Sequence, residues 1–204
     1  MAYPSNIFID ERGVTLTELM VALVMGLATV AAVYSVHLLQ VKQRIVQEDV
    51  MAMQQNARAA IDLMTREVRM AGFDPMGVNR DGKSSNDFQG LTYHPTELHI
   101  KSDLNGNGIT TDTNESIVFL HDESTLTLKR RVGGGGRQPV AEHIQTLTIR
   151  YFDERVVPTT DTNAIRLVEM VLTAQTEHPD PNYFQNNGFR TLTLRSRVIP
   201  RNLF

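Results

Sequence analysis

The sequence contains no cysteine among its 204 residues. Thiolate catalysis, cysteine-ligated zinc and disulfide cross-links are therefore excluded. An exported domain of this kind must be held by its core, by partners or by a metal ion. Positive charge is not in excess either. Twenty Lys and Arg stand against 23 Asp and Glu, a formal net charge of −3. Nucleic acid, which favours a strongly basic face, is not an expected partner. Proline is missing from residues 16–71, and Gly26 is the only glycine there. Formal charge is missing from Leu19 to Val36. No nucleophile–base constellation is visible, so the chain is not read as an enzyme.

What stands in that uncharged window is an apolar run broken only by Thr29, Tyr34 and Ser35. A run of about 18 or more apolar residues reads as a membrane span. Glu18 is the only formal charge between Arg12 and Lys42, and it sits at the mouth of the run. A carboxylate at a bilayer edge is costly unless it pairs or stays in the headgroup water. Arg12 stands beside Asp10 and Glu11, whereas Lys42 and Arg44 follow the span. By the positive-inside count alone, the N-terminus would face outward.

Beyond the span the apolar positions run Val46, Val50, Met53, Ala57, Ala60, Met64, Val68, Ala71. Steps of four and three place them on one helix stripe. Arg44, Gln47, Glu48, Gln55, Arg58, Asp62, Thr65, Arg66 and Arg69 occupy the other face. Gly72 and Pro75 supply the stop. Such a helix is longer than a bilayer needs, so its second half must pack outside the membrane. The stripe reads as the face that docks a globular domain.

The order of these features differs from a secretory signal, whose apolar core precedes its cleavage site. Here a short polar leader ends in Gly13 and the apolar core follows. Gly13-Val14-Thr15-Leu16-Thr17-Glu18-Leu19-Met20-Val21-Ala22-Leu23 resembles the class III signal of type IV pilins and pseudopilins. Val14 replaces the Phe usual in that family, and Thr17 a more apolar residue. The resemblance implies that a prepilin peptidase cuts between Gly13 and Val14 and methylates the new amine. It implies that Glu18 pairs with an N-terminal amine inside a filament, which would offset the desolvation of both charges. It also places the N-terminus in the cytoplasm, against the charge count.

A second motif narrows the resemblance. Met53-Gln54-Gln55-Asn56-Ala57-Arg58-Ala59-Ala60, followed by Arg69-Met70-Ala71-Gly72-Phe73, is similar to the minor pilins of the PilW family. Looser likeness continues at Gln138-Pro139-Val140-Ala141 and at Arg197-Val198-Ile199-Pro200. The domain plan implied is a leader (1–13), a transmembrane half-helix (14–40), an amphipathic half-helix (41–72) and a β-rich globular domain (73–204). The role implied is priming of pilus assembly at or near the tip. Expected partners are other minor pilins, the major pilin, the peptidase, the inner-membrane assembly platform and a large tip adhesin. The chain would sit in the bacterial inner membrane before assembly and on the cell surface afterwards. Cell adhesion and twitching motility belong to the same implied role. Two rivals share parts of the pattern: a pseudopilin of type II secretion or DNA uptake, and a membrane-anchored calcium-dependent adhesin.

The globular part opens with a Gly-, Asn-, Asp- and Ser-rich loop over 76–90. Strand-like runs follow at 97–101, 116–121, 125–131, 145–152, 165–173 and 191–198. The last alternates cleanly, with Leu192, Leu194 and Val198 inward and Thr191, Thr193, Arg195 and Arg197 outward. Residues 121–124 suit a hairpin turn, and residues 139–143 read as a short helical turn. A long helix followed by consecutive strands gives an α+β fold with an antiparallel sheet over the helix stripe.

One loop has the pattern of a cation site. Asp103, Asn105 and Asn107 alternate and Gly108 follows. That spacing resembles the first half of an EF-hand loop. Ile109 would offer its carbonyl, and Asp112 or Glu115 would close the shell. The competing reading is an Asn-Gly-rich turn whose side chains satisfy themselves. Other candidates are weaker. Residues 133–136 are a glycine run without the following Lys-Ser or Lys-Thr of a phosphate loop. Lys129, Arg130, Arg131 and Arg137 read as a solvated hairpin end. His94, His99, His121, His143 and His178 show no zinc spacing.

Overall fold

The computed structural model describes residues 13–82 and 87–203. One α-helix among the described residues, α1, runs Leu16–Met70 over 55 residues. Its start is a capping box. Thr15 Oγ1 accepts the Glu18 N–H at 3.3 Å, and the Glu18 carboxylate accepts the Thr15 N–H at 3.3 Å. Its end is a left-handed Gly72 at φ 74°, the usual place for glycine after a helix. The last carbonyls find partners in the C-terminal segment. Arg201 N–H reaches Arg69 O at 3.3 Å, and Asn202 Nδ2 reaches Ala71 O at 3.4 Å.

The chain forms two compact units that meet between Ile45 and Val46. The described part of the first is residues 13–15 followed by helix. Its apolar side chains, from Leu19 through Val24, Leu27 and Val30 to Val33, are all exposed. A helix apolar on every side needs an apolar environment from elsewhere. This one is long and apolar enough to cross a membrane. Two of its hydroxyls are satisfied internally. Thr29 Oγ1 donates to Met25 O at 2.9 Å, and Ser35 Oγ to Ala31 O at 2.8 Å. Such back-bonding lets a hydroxyl sit in hydrocarbon without a bare donor.

In the second unit α1 becomes one-sided. Met53, Ala57, Ala60, Ile61, Met64 and Val68 are buried, as the stripe predicts, with Ile61 added. Eight antiparallel strands accompany it. β1 (Leu91–Thr92), β2 (Glu97–Lys101), β3 (Ser116–Asp122), β4 (Thr127–Val132) and β5 (Arg137–Ala141) form one sheet in sequence order. β6 (Ile144–Phe152), β7 (Leu167–Gln175) and β8 (Thr191–Val198) form another. Phe119, Leu128, Ile144, Ile165, Met170 and Leu172 join the helix stripe in one core. Thr65 Oγ1 and Ser196 Oγ, 3.0 Å apart, tie α1 to β8. The α+β expectation holds, and β8 alternates as read.

Two local readings are corrected. The sequence suggested one sheet, but the strands divide after β5. The break falls at Glu142 and His143, where His143 takes φ 56°. Asn56 Nδ2 holds the Glu142 carbonyl at 2.8 Å. Residues 139–143 were read as a helical turn, yet Pro139 lies in β5 opposite Lys129. β5 is an edge strand, where the missing proline N–H leaves no ladder bond unmade. Two-residue β1 also falls just past the loop expected over 76–90.

Candidate functional site

Three places stand out for polar chemistry among the described residues. The first is the start of α1. Gly13 has open space around it, and Val14 and Glu18 are exposed. Residues 1–12, all but the last of the expected leader, lie outside the described residues. Glu18 therefore has one role visible in the fold, as the acidic half of the cap with Thr15. It lies at the entrance to the exposed apolar segment.

The second is the loop between β2 and β3, residues 103–115. Its six sequence-predicted residues fold into one network. Asp103 is wholly buried. Its Oδ1 accepts the Gly106 N–H at 2.7 Å, and its Oδ2 the Gly108 N–H at 2.9 Å. Both glycines are left-handed, at φ 77° and 76°, which is why glycine suits those turns. Asn105 Oδ1 accepts the Asn107 N–H, and Asn107 Oδ1 the Ile109 N–H, at 2.9 and 2.8 Å. The amide nitrogens of Asn105 and Asn107 both point at Asp112 Oδ2, at 3.0 and 2.7 Å. Glu115 reaches back across the loop to the N–H groups of Leu104 and Asn105, at 2.9 and 3.1 Å. Glu115 is one place late for an EF-hand, and its burial just before β3 was not legible from spacing. The loop leans on the segment after α1, with Asp103 N–H bonded to Phe73 O at 2.8 Å.

The third was missed by sequence reading. His94, Glu97 and His99 bring one ligand atom each within 4.8 Å. His94 and His99 stack with centroids 5.1 Å apart. One atom of each is engaged within the protein. His94 Nδ1 accepts from Thr96 and Glu97 N–H, and His99 Nε2 bonds Glu97 at 2.8 Å. The alternation Glu97-Leu98-His99 along β2 was the available signal. The trio forms a partly buried hydrogen-bonded cluster on β2 and the turn before it.

Other charged groups are structural. Lys129 pairs with Asp122, and Arg130 with Glu67 at 3.0 Å, so the basic hairpin end is partly neutralised. The Lys129 ammonium and the Ser124 bonds hold the Asp122 carboxyl well below the usual carboxylate range. Burial pushes the Tyr151 hydroxyl up, and it donates to Glu97 O at 3.1 Å. A cleft of about 210 Å³ is lined by Gly72, Phe73, Asp74, Asn79, Arg201 and Asn202. Asp74 there is occupied by the N–H groups of Val78 and Asn79. No nucleophile–base pair occurs in that cleft.

No protein-family model matches the chain, and no curated protein matches it. Among solved structures it is similar to a type IV-like pilin from Thermus thermophilus. The two are 9% identical, the match covers 78% of this chain and 98% of that one, and the TM-score is 0.43.

Proposed function

We propose that the chain is a minor pilin of a type IV pilus, similar to the PilW family, that works through surfaces and catalyses nothing. The observation that carries this reading is a fully exposed apolar helix segment that opens on Glu18, five residues after Gly13. In the proposal, cleavage after Gly13 frees the Val14 amine. Glu18 then pairs with such an amine on a neighbouring subunit, and the exposed segment packs among its counterparts. The second unit, held on the amphipathic half of α1, supplies contacts to other minor pilins, the major pilin and a tip adhesin. Before assembly the segment anchors the chain in the inner membrane.

Two substitutions separate this role of Glu18 from its capping role. Glu18→Gln keeps an acceptor for the Thr15 N–H but removes the charge. Glu18→Ala removes both. The proposal expects each to reduce incorporation into sheared pili several-fold while the second unit stays folded. Wild-type incorporation of Glu18→Gln would leave only the cap and remove the pairing with the amine. A deletion strain scored for surface pili and for secretion separates the pilus from a secretion pseudopilus.

A further inference from the structure

We propose that the loop at 103–115, between β2 and β3, binds one calcium ion. The observation that points to a ligand is an orphaned oxygen. Glu115 is 1% exposed. Its Oε1 is held by the Leu104 and Asn105 N–H groups, which fixes the carboxyl against the inside of the loop. Its Oε2 is buried and has no hydrogen-bond partner. A buried carboxylate oxygen left bare is costly unless a cation or donor meets it.

Nothing else described supplies that cation. Asp103, Asp112 and Glu115 place three carboxylates in the loop, and none takes part in an ion pair among the described residues. The remaining donors are also oxygens. Each Asp103 oxygen accepts one backbone N–H and keeps lone-pair capacity. The same holds for the side-chain oxygens of Asn105 and Asn107. The Asn105 and Asn107 amide nitrogens donate to Asp112 Oδ2, which holds that carboxylate beside the alternating positions. The Ile109 carbonyl completes the set.

An all-oxygen set from one adaptable loop suits calcium. Magnesium demands a stricter octahedron and keeps more of its water. With asparagine at two of the alternating positions the charge is modest, so affinity falls in the extracellular range, with Kd about 10⁻⁴ to 10⁻³ M. The ion would brace the segment that follows α1. The loop packs there through Gly106 beside Pro75 and Met76, and through Gly108 beside Val78.

The test is calorimetry of the full chain in detergent micelles, titrated with calcium chloride and, separately, magnesium chloride. Thermal melts with calcium or chelator accompany it. The expected result is one calcium per chain, magnesium weaker by about 10-fold or more, and a melting temperature that rises with calcium and returns with chelator. Glu115→Gln should weaken calcium binding about 10-fold or more. Because Glu115 is buried, the half-exposed Asp112→Asn is the companion variant. It should lose affinity similarly while melting like the wild type in chelator. No saturable heat up to about 10 mM calcium, equal binding of magnesium, or affinity unchanged in both variants would overturn the site.

Discussion

Arg197 Nε donates to Glu169 Oε1 at 2.7 Å on the face of the β6–β7–β8 sheet opposite the core. Glu169 is 1% exposed, yet the arginines around it are more than half exposed. Arg150 and Arg195 approach its carboxylate at 3.6 and 3.7 Å. The Arg197 bond is the main influence holding the Glu169 carboxyl below its ordinary value, with burial opposing it and the other arginines assisting. A carboxyl depressed in the folded state stabilises above its unfolded pKa, near 4.5. That contribution is lost as pH falls through the lower folded value.

Glu169→Gln should therefore flatten the fall in stability below about pH 4.5. At neutral pH it should cost roughly 1–3 kcal/mol, since a buried partner is lost but its arginines remain solvated. Denaturant melts across pH measure both. Some acid sensitivity should survive in the variant. Asp180 is also held low, by the Asn182 N–H and by Arg190.

Gly90 and Gly72 cross at close range. A Cβ built on Gly90 would stand 2.2 Å from Gly72 N and 2.5 Å from its Cα. Backbone cannot yield as a flexible side chain can. Gly90→Ala should cost about 3 kcal/mol or more, or prevent folding. Gly82→Ala is the control, because nothing lies within 4 Å and only its φ of 77° opposes the change. It should cost about 1 kcal/mol. Chemical denaturation ranks the two.

Met64 is wholly buried at the centre of the helix stripe. Met64→Ala should destabilise the second unit by about 2–5 kcal/mol. Met20→Ala, in the exposed segment, should leave that unit's unfolding unchanged. Equal effects would mean that the two units do not unfold independently.

The helix was legible because its signals agree. An uncharged apolar run, a four-and-three stripe and a glycine stop all describe one element, and α1 ends two residues before that stop. The strands with clean alternation, such as Leu192-Thr193-Leu194, were equally plain. The sheet break was not. It depends on a left-handed His143 and on Asn56 gripping the Glu142 carbonyl, contacts that local sequence does not encode. Pro139 misled because proline suggests a turn unless the strand is known to be at an edge. In the loop, alternating Asp103, Asn105 and Asn107 announced a cluster. Which carboxylate oxygen would be left bare, Glu115 Oε2, needed the fold. Glu169 could have been suspected from a lone acid in Leu167-Val168-Glu169-Met170 and arginines at alternate β8 positions.

The central claim is that this chain is a processed filament subunit. The most direct measurement is intact-mass and N-terminal analysis of the protein recovered from sheared surface fibres of the native bacterium. The account predicts a chain that begins at Val14 with a methylated amine and co-purifies with the fibres. A chain that retains residues 1–13, or one never found with the fibres or their bases, would contradict it.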